Sequence, residues 1–415
     1  MKRFLYHITL LCLLAATVAG CGDPTPAPKP DEPTQKTVIA YFFGTSLSYY
    51  LARNVRMMEQ AVSTGEFGNN RLIIFYQTSS STAEIREISY DDQTKTSVTE
   101  VLETIELPSE LDARSFTDFF SRMLDYAPAQ SYSAIFLGHS TAWLPKNTSS
   151  PAVRTYGLDP TFVPSFEKMP GAAVTRHIGE GNVNLDINEL AAGLGDLGVK
   201  FDCLYFDVCF MSSLEAAYEL RNTTHYLIGS PCEIMGYGSP YDRILKPLAA
   251  NDYKSVCEEY VDFYENYDYQ SGCITTIDCT KLDAVADVVK RMNAAPTAEG
   301  FDILDIQAYE GRSASGNYAG HWFYDAEDYY LHICADKGLT DEFKARLSEA
   351  LPYRYHTDSY YSAYNSAFNA IYYYSGISLT PDEKCIDVIG DSAHRKMLQF
   401  YNPYLKMTGW YKATH

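Results

Sequence analysis

The residues of this chain best suited to covalent chemistry are a cysteine and a histidine, each placed directly after a strand-like apolar run. Cys209 follows the run "FDCLYFDV", and His139 follows the run "YSAIFLG". A cysteine becomes a strong nucleophile when its thiol loses a proton, and a nearby imidazole or helix N-terminus favours that loss. If the two strands are neighbours, His139 would accept the proton of Cys209 or protonate a leaving amine. The two residues are therefore candidates for a catalytic dyad.

The sequence after Cys209 is typical of a helix start. Ser212 and Glu215 have the spacing of a capping box, and the dipole of a helix beginning there would favour negative charge near Cys209. Cys232 is the rival nucleophile because it also follows a strand-like run, but no capping box comes after it. The cysteines inside apolar runs are expected to be small buried apolar residues instead: Cys203, Cys273 and Cys279.

An aspartate, Asp207, precedes Cys209 by two residues. In an extended segment, residues i and i+2 share a face about 6.5–7 Å apart, so the carboxylate could meet a cationic side chain next to the bond that Cys209 attacks. That geometry would select Arg or Lys before the scissile bond. The alternative is that Asp207 only accepts hydrogen bonds from backbone N–H groups at the strand end. The candidate donors to the oxyanion are the backbone N–H groups of Cys209, Gly138 and Ser140.

Apolar runs alternate with helical patterns along the chain. The strand-like runs are "TVIAYFF" (37–43), "RLIIFYQ" (71–77), "YSAIFLG" (132–138), "FDCLYFDV" (201–208), "HYLIGS" (225–230) and "GCITTIDC" (272–279). Continuous apolar runs separated by helices are typical of parallel strands buried on both faces. We predict an α/β fold with an open, mostly parallel sheet flanked by helices. In such a sheet the chemistry lies beyond the carboxyl ends of the strands.

The composition is that of an acidic globular protein. The chain has 415 residues, of which 46% are hydrophobic and 21% charged, with 35 Tyr and a net charge of −20. This charge argues against nucleic acid and anionic lipid as electrostatic partners. No Cys or His spacing of the kind that binds zinc is present, so the pattern predicts no metal site.

The N-terminus has the features of an export signal. Lys2 and Arg3 precede an apolar run that is too short to span a membrane. The ending "VAGC" (18–21) resembles a bacterial lipoprotein signal, which implies cleavage before Cys21 and a lipid on its sulfur. The alternative is an ordinary signal peptide with an incidental cysteine. The Pro-rich segment that follows is expected to be an extended tether.

Several of these segments resemble the clostripain family of cysteine peptidases, over roughly residues 37–415. "LYFDVCFMSSLEAAYEL" is similar to the family's nucleophile segment and is the most specific match, and "AIFLGHSTAWLP" is similar to its histidine segment. "YFFGTSLSYYLARNVRMMEQ" and "YYYSGISLTPDE" are similar to its first strand and helix and to a late strand. The resemblance implies a caspase-like fold, a Cys209–His139 dyad and a preference for Arg or Lys, with Asp207 in the specificity pocket. Ser140 stands where the family commonly has Gly.

The resemblance also implies maturation by cleavage between the histidine and cysteine segments. The long loop there is rich in Pro, Gly, Ser and Thr, and its candidate self-cleavage residues are Arg154 and Lys146. Some family members use calcium, but "NVNLDINEL" looks only faintly like a calcium loop. Asp186 as a helix N-cap, with Glu189 three residues later, explains that segment better. We therefore predict no cofactor, with calcium as the alternative.

The predicted organisation has four parts. Residues 1–20 are the lipoprotein signal peptide, 21–36 the tether and 37–280 the caspase-like catalytic domain, and residues 281–415 complete the fold.

The leading hypothesis is a cysteine endopeptidase that cleaves protein or peptide substrates after Arg or Lys. It would be exported and lipid-anchored to a bacterial membrane, in the periplasm or at the cell surface. The alternative is a catalytically inactive surface lipoprotein that binds peptide or glycan, because the Tyr-dense stretch "YRYHTDSYYSAYNSAFNAIYYYS" (353–375) offers aromatic faces for stacking. A hydrolase of another acyl substrate with the same dyad is a third possibility.

Overall fold

The computed structural model describes residues 34–145, 178–180, 183–310, 321–363, 365–386, 389–390 and 392–415. The strands, in chain order, are β1 (Lys36–Phe42), β2 (Arg71–Gln77), β3 (Thr82–Asp91), β4 (Thr96–Glu106), β5 (Ser131–Leu137), β6 (Ile178–Glu180), β7 (Val183–Leu185), β8 (Phe201–Asp207), β9 (Thr224–Gly229), β10 (Cys273–Asp278), β11 (Tyr324–Asp325), β12 (Tyr353–His356), β13 (Ser359–Ser362), β14 (Ala367–Ala370) and β15 (Ser378–Leu379). The helices are α1 (Ser48–Ser63), α2 (Ala113–Tyr126), α3 (Ile187–Asp196), α4 (Leu214–Leu220), α5 (Tyr241–Ala249), α6 (Tyr253–Glu265), α7 (Leu282–Ala294), α8 (Ala326–Ile333), α9 (Lys337–Ala350), α10 (Glu383–Ile386), α11 (Ser392–Leu405) and α12 (Gly409–Thr414).

A nine-stranded sheet forms the centre of the protein, in the order β12-β10-β9-β8-β5-β1-β2-β3-β4. The five central strands, from β9 to β2, run parallel. The outer strands β3, β4, β10 and β12 pair antiparallel. The predicted α/β fold with a mostly parallel sheet is therefore confirmed, and the antiparallel pairs lie at its two ends.

The central strands are buried on both faces because successive residues are apolar. In β1, Ile39 and Tyr41 pack on one side of the sheet, whereas Val38, Ala40 and Phe42 pack on the other. Burial of a large apolar side chain stabilises the fold by about 1.5–3 kcal/mol, so a strand of this composition is favoured in the middle of a covered sheet. The six predicted strands are all present, with bounds within one residue of those expected.

Helices cover both faces of the sheet. α1, α5 and α6 pack on one face, and α2, α3, α4, α7, α9 and α12 contribute to the core on the other. In α2, for example, the apolar residues recur at helical spacing and therefore share one face of the helix, which is buried. They are Phe116, Phe119, Phe120 and Met123.

The hairpin of β3 and β4 was not among the predicted strands. Polar residues separate the apolar ones in its ten-residue and eleven-residue strands, and most of β4 is partly or fully exposed. Charged side chains at this end of the sheet discourage pairing with another chain. One of them, Glu103, forms an ion pair of 2.6 Å with Arg122 on α2.

Residues Thr34–His415 form one compact unit. The predicted signal peptide, Cys21, Lys146 and Arg154 lie outside the described residues. Within the described residues, no helix has the length and apolar character needed to cross a bilayer. The predicted boundary between residues 280 and 281 stays a prediction, although β12, from the later part, pairs with β10 of the earlier part.

Candidate active site

The candidate nucleophile Cys209 and the candidate base His139 each follow the carboxyl end of a strand, and the two strands are neighbours in the sheet. β5 and β8 pair in parallel, and the last pair in their register joins Leu137 to Asp207. His139 and Cys209 each follow two residues beyond that pair. The sheet therefore brings together two residues that lie far apart in the chain.

His139 is held in a buried position at the end of β5. Its Nε2 atom shares a hydrogen bond of 3.1 Å with the hydroxyl of Ser46. Burial lowers the pKa of His139 from its ordinary value of 6.5 to about 4, because a charged imidazolium would lose its hydration there. The imidazole is therefore neutral at physiological pH, which is the form that a general base requires.

Ser46 was not recognised from the sequence. It lies in the loop between β1 and α1, and β1 is the neighbour of β5 on the side opposite β8. The same loop is fixed by Gly44, whose backbone N–H donates to Oε1 of Gln77 at 2.8 Å. The one sequence feature that could have pointed to Ser46 is its position after the first strand. Its proximity to His139 could not be inferred, because it depends on the order of the strands in the sheet.

Gly138 permits the close approach of β1 to the histidine turn. A Cβ atom on Gly138 would lie 2.3 Å from the ring of Phe43 and 2.7 Å from its carbonyl oxygen. No side chain fits at that distance, so glycine is required here.

Cys209 is half-buried on the turn that follows β8. The backbone N–H of Ile234 donates to its Sγ atom at 3.3 Å. Burial raises the pKa of Cys209 from 9.0 to about 12, and the negative charge of Glu233 acts in the same direction. The backbone N–H groups of Ile234 and Cys209 oppose this shift but do not outweigh it.

The expected helix start after Cys209 lies one residue later than predicted. The N-cap of α4 is Ser213, whose hydroxyl accepts from the backbone N–H of Ala216 at 3.2 Å. The predicted cap, Ser212, instead donates its hydroxyl to the carbonyl oxygen of Gly376 at 2.6 Å. α4 therefore begins five residues after Cys209. The pKa of the thiol is raised, not lowered as its place before a helix predicted.

Glu215 has a different role from the predicted one. Its side chain is fully buried and accepts a hydrogen bond of 2.7 Å from the backbone N–H of Thr380. Burial raises the pKa of Glu215 to about 7. The residue thus ties the nucleophile region to the segment after β15.

Asp207 lies at the end of β8, buried beside the turn of Cys209. Its Oδ2 atom accepts hydrogen bonds from the backbone N–H of Ser239 at 2.8 Å and the hydroxyl of Tyr241 at 2.7 Å. Burial raises the pKa of Asp207, and these hydrogen bonds act in the opposite direction. Its Oδ1 atom is buried and has no hydrogen-bond partner within the described residues.

Two further residues surround this carboxylate. Both amide atoms of the buried Asn54 side chain lack hydrogen-bond partners in the part of the chain that is described. Gly238 has a φ of +66°, and a Cβ there would lie 2.7 Å from Oδ2 of Asp207 and 3.0 Å from Nδ2 of Asn54. The glycine therefore leaves room for the Asp207 and Asn54 side chains.

The rival nucleophile Cys232 is fully buried. Burial raises its pKa well above the ordinary value. Cys203, Cys273 and Cys279 are also buried, as expected for small apolar residues in strands. Among the described cysteines, only Cys209 is more than slightly exposed.

The remaining predicted site residues lie near the histidine turn. The hydroxyl of Ser140 accepts from the backbone N–H of Ala142 at 2.9 Å. Ala142 itself has a φ of +52°, a left-handed conformation that is strained for a residue with a side chain. The carbonyl oxygen of His139 accepts from the backbone N–H of Gly179 at 3.0 Å.

The segment compared with a calcium loop forms a helix start instead. Asp186 and Glu189 form the capping box of α3, and the backbone N–H of Asp186 donates to Glu189 at 2.9 Å. The described residues contain no group of three or more His, Cys, Asp or Glu placed to hold a metal ion. The predicted capping role of Asp186 and Glu189 is thus confirmed, and calcium binding stays untested.

Comparison with known proteins defines the class of this fold and site. Residues 167–377, just over half of the chain, match the clostripain family of C11 peptidases. The chain therefore belongs to the clostripain family and is a cysteine protease. A comparison with curated proteins found no match.

Solved structures of C11 proteases share the fold, and two of the three described here are called secreted cysteine proteases. The protease iotapain from Bacteroides thetaiotaomicron is 28% identical, with a TM-score of 0.76 over 92% of this chain and 100% of that chain. A second protease from that organism, in complex with an irreversible peptide inhibitor, is 22% identical, with a TM-score of 0.71 over 92% and 98% of the two chains. An inactive zymogen from Parabacteroides distasonis is 23% identical, with a TM-score of 0.72 over 92% and 99%.

Proposed function

We propose that this protease hydrolyses peptide bonds after Arg or Lys through a dyad of Cys209 and His139. The observation that carries the specificity is the buried Oδ1 atom of Asp207, which has no partner within the described residues and lies two residues before Cys209. An unpaired carboxylate oxygen in a buried position is costly, and a guanidinium or ammonium group would satisfy it. The side chain of Asn54, whose amide atoms also lack partners among the described residues, borders the same space at Gly238.

The proposed reaction begins when His139 accepts the thiol proton of Cys209. The sulfur attacks the carbonyl carbon of the scissile bond, and the backbone N–H groups of Cys209, Gly138 and Ser140 are the candidate donors to the oxyanion. The C–N bond breaks as His139 returns its proton to the leaving amine, which leaves a thioester on Cys209. Water then attacks the thioester with His139 as the base, and the acid product and the thiol are released.

The test is hydrolysis of fluorogenic peptides that end in Arg, Lys, Leu or Asp. Cleavage after Arg and Lys should exceed cleavage after Leu and Asp, and Cys209→Ala should abolish it. Asp207→Asn should lower kcat/KM for the basic substrates by about 30- to 1000-fold, the effect of removing one partner from a buried charge pair.

Asp202→Asn is the matched control for the aspartate substitution. Asp202 lies in the same strand, is partly exposed and pairs with Lys36 at 2.7 Å. It should retain the preference for basic substrates. Cleavage after Leu or Asp at rates equal to cleavage after Arg would contradict the proposal.

We also propose self-cleavage at Arg154 or Lys146. Both residues match the proposed specificity, and they lie in the chain between His139 and Cys209. The Parabacteroides distasonis neighbour is an inactive zymogen, which supports a maturation step in proteins of this fold. Intact mass after incubation should show a cut in the wild type but not in Cys209→Ala. A single uncut chain in both proteins would reject self-processing.

We propose export and lipid anchoring at Cys21 of this chain. The "VAGC" ending of the N-terminal segment supports it, and the iotapain neighbour is described as secreted. Metabolic labelling with an alkyne fatty acid should label the wild type and not Cys21→Ser. Equal labelling of both proteins, or labelling of neither, would reject the anchor.

A further inference from the structure

We propose that a groove away from the catalytic turn binds acidic segments of protein substrates. The groove has a volume of about 640 Å³ and is formed by α8, α9, β12 and residues 372–374. Most of its residues belong to the Tyr-dense stretch 353–375, which the dyad does not use. The identity of the ligand rests on the proposed protease function.

The groove carries an excess of positive charge. Its cations are Lys344 of α9 and Arg354 of β12, and the imidazole of His356 of β12 also lines it. Arg354 and His356 are two residues apart in a strand and therefore share a face. The carboxylate in the lining is Glu327, which lies 3.7 Å from Lys344 and accepts a hydrogen bond from Tyr373.

Arg354 is the cation most available to a ligand. Its guanidinium donates to the carbonyl oxygen of Ser375 at 3.4 Å, and no carboxylate of the described residues forms an ion pair with it. Its side-chain stem packs near Gly376, where a Cβ would lie 3.1 Å from Cγ of Arg354. A fixed guanidinium without a carboxylate partner, in a protein with a net charge of −20, is suited to bind a carboxylate.

Aromatic rings complete the groove. Tyr372 is 89% exposed, and the rings of His356 and Tyr374 lie 4.3 Å apart. Large exposed rings beside cations are common in binding surfaces for peptides. β12 is also the terminal strand of the described sheet, and terminal strands can pair with an extended peptide. These features favour an acidic peptide over an acidic glycan.

The groove connects to the catalytic turn through a short, hydrogen-bonded segment. Tyr374 donates its hydroxyl to the carbonyl oxygen of Ile274 at 3.3 Å. Ser212, three residues after Cys209, then contacts both Gly376 and Ser378 at hydrogen-bond distance. A substrate segment in the groove would therefore be held at a fixed position relative to Cys209.

The probe for this site is a fluorescein-labelled peptide of alternating Glu and Ser, which contains no Arg or Lys and is not cleaved. Its binding is measured by anisotropy with the full chain carrying Cys209→Ala, at low salt. Arg354→Met keeps the packed stem and removes the charge, and should weaken binding by about two- to fivefold, the effect of one partly exposed ion pair. Lys344→Glu, on the surface of α9, should weaken it at least as much.

Arg346→Glu is the matched control, because Arg346 lies on α9 and pairs with Glu349 at 3.1 Å. Binding that is unchanged in both groove variants, or equally weakened in Arg346→Glu, would overturn the proposal. Tighter binding of polygalacturonate than of the acidic peptide would overturn it in favour of a glycan. Hydrolysis of short basic peptides by the unaltered protein tests the proposed function separately, so hydrolysis without probe binding rejects the groove alone.

Discussion

At the scale of single residues, the two members of the proposed catalytic pair are both uncharged at neutral pH. Burial raises the pKa of Cys209 to about 12 and lowers that of His139 to about 4, so at pH 7 the pair consists of a thiol and a neutral imidazole. At a pH that far below the pKa of the thiol, very little thiolate is present, so Cys209 reacts slowly. In the proposed mechanism, proton transfer to His139 therefore accompanies the attack on substrate or follows a change that opens the site.

The reactivity of Cys209 towards iodoacetamide should report this state. Only the thiolate is alkylated, so the rate should rise about tenfold per pH unit between pH 7 and pH 9. Intact mass spectrometry measures the rate, with Cys209→Ala as the control for the other, buried cysteines. A rate that levels off below pH 8 would show that the resting thiol is already ionised.

The hydroxyl of Ser46 should contribute to catalysis by orienting the ring of His139. Ser46→Ala removes one hydrogen bond of about 1 kcal/mol, so kcat/KM should fall by about three- to tenfold. Ser63→Ala is the control, because within the described residues its hydroxyl donates only to the carbonyl oxygen of Gln60, at the end of α1. An unchanged kcat/KM in Ser46→Ala would mean that packing alone positions the imidazole.

At the scale of secondary-structure elements, the sequence predicts the central strands well. β1, β2, β5, β8, β9 and β10 are recognisable because they are apolar at successive positions and are separated by helical patterns. β3 and β4 were missed because polar residues interrupt their apolar ones, which weakens the apolar signal. The strand order was not predictable, since β5 lies between β1 and β8 through contacts that are remote in the chain.

The residues of the candidate site were also only partly predictable from the sequence. Cys209, His139 and Asp207 could be proposed from their places at strand ends. Ser46 and Asn54 could not, because their relevance depends on which strands and helices are neighbours. The cap of α4 was misplaced by one residue because both Ser212 and Ser213 can cap, and the bond from Ser212 to Gly376 decides between them.

The close contact of β1 with the histidine turn should make Gly138 intolerant of substitution. Gly138→Ala places a methyl group 2.3 Å from the ring of Phe43, so we expect a loss of about 1–3 kcal/mol in the free energy of unfolding and a loss of activity. Urea denaturation measures the former. Gly195→Ala in α3 is the control, because a Cβ there meets nothing within 4 Å. Equal stability of the two variants would contradict the packing described.

At the scale of the whole molecule, buried carboxyl groups make stability depend on pH. Glu310 accepts hydrogen bonds from the backbone N–H groups of Trp322 and Phe323. Burial raises its pKa from 4.5 to about 8 in the folded protein. The folded state therefore binds a proton that the unfolded state releases, and this contribution to stability is lost as pH rises from 4.5 through 8.

Substitution of this carboxyl group should reduce the pH dependence. Glu310→Gln cannot ionise, so its Tm should decrease less than that of the wild type between pH 5.5 and pH 8.5. Differential scanning calorimetry measures both, with Glu349→Gln on the exposed end of α9 as the control. An equal decrease in the Tm of all three proteins between pH 5.5 and pH 8.5 would mean that Glu310 is not protonated in the folded protein.

The pairing of β5 with β8 has a consequence for a protein cut between His139 and Cys209. Each of the two new chains would contribute strands to the same sheet. β5 of one chain would remain paired with β8 of the other, from the pair Ser133 and Cys203 to the pair Leu137 and Asp207. The backbone N–H of Gly179 and the carbonyl oxygen of His139 add another link across the break. The product should migrate as a single noncovalent heterodimer in native sizing and separate into two bands only under denaturing conditions.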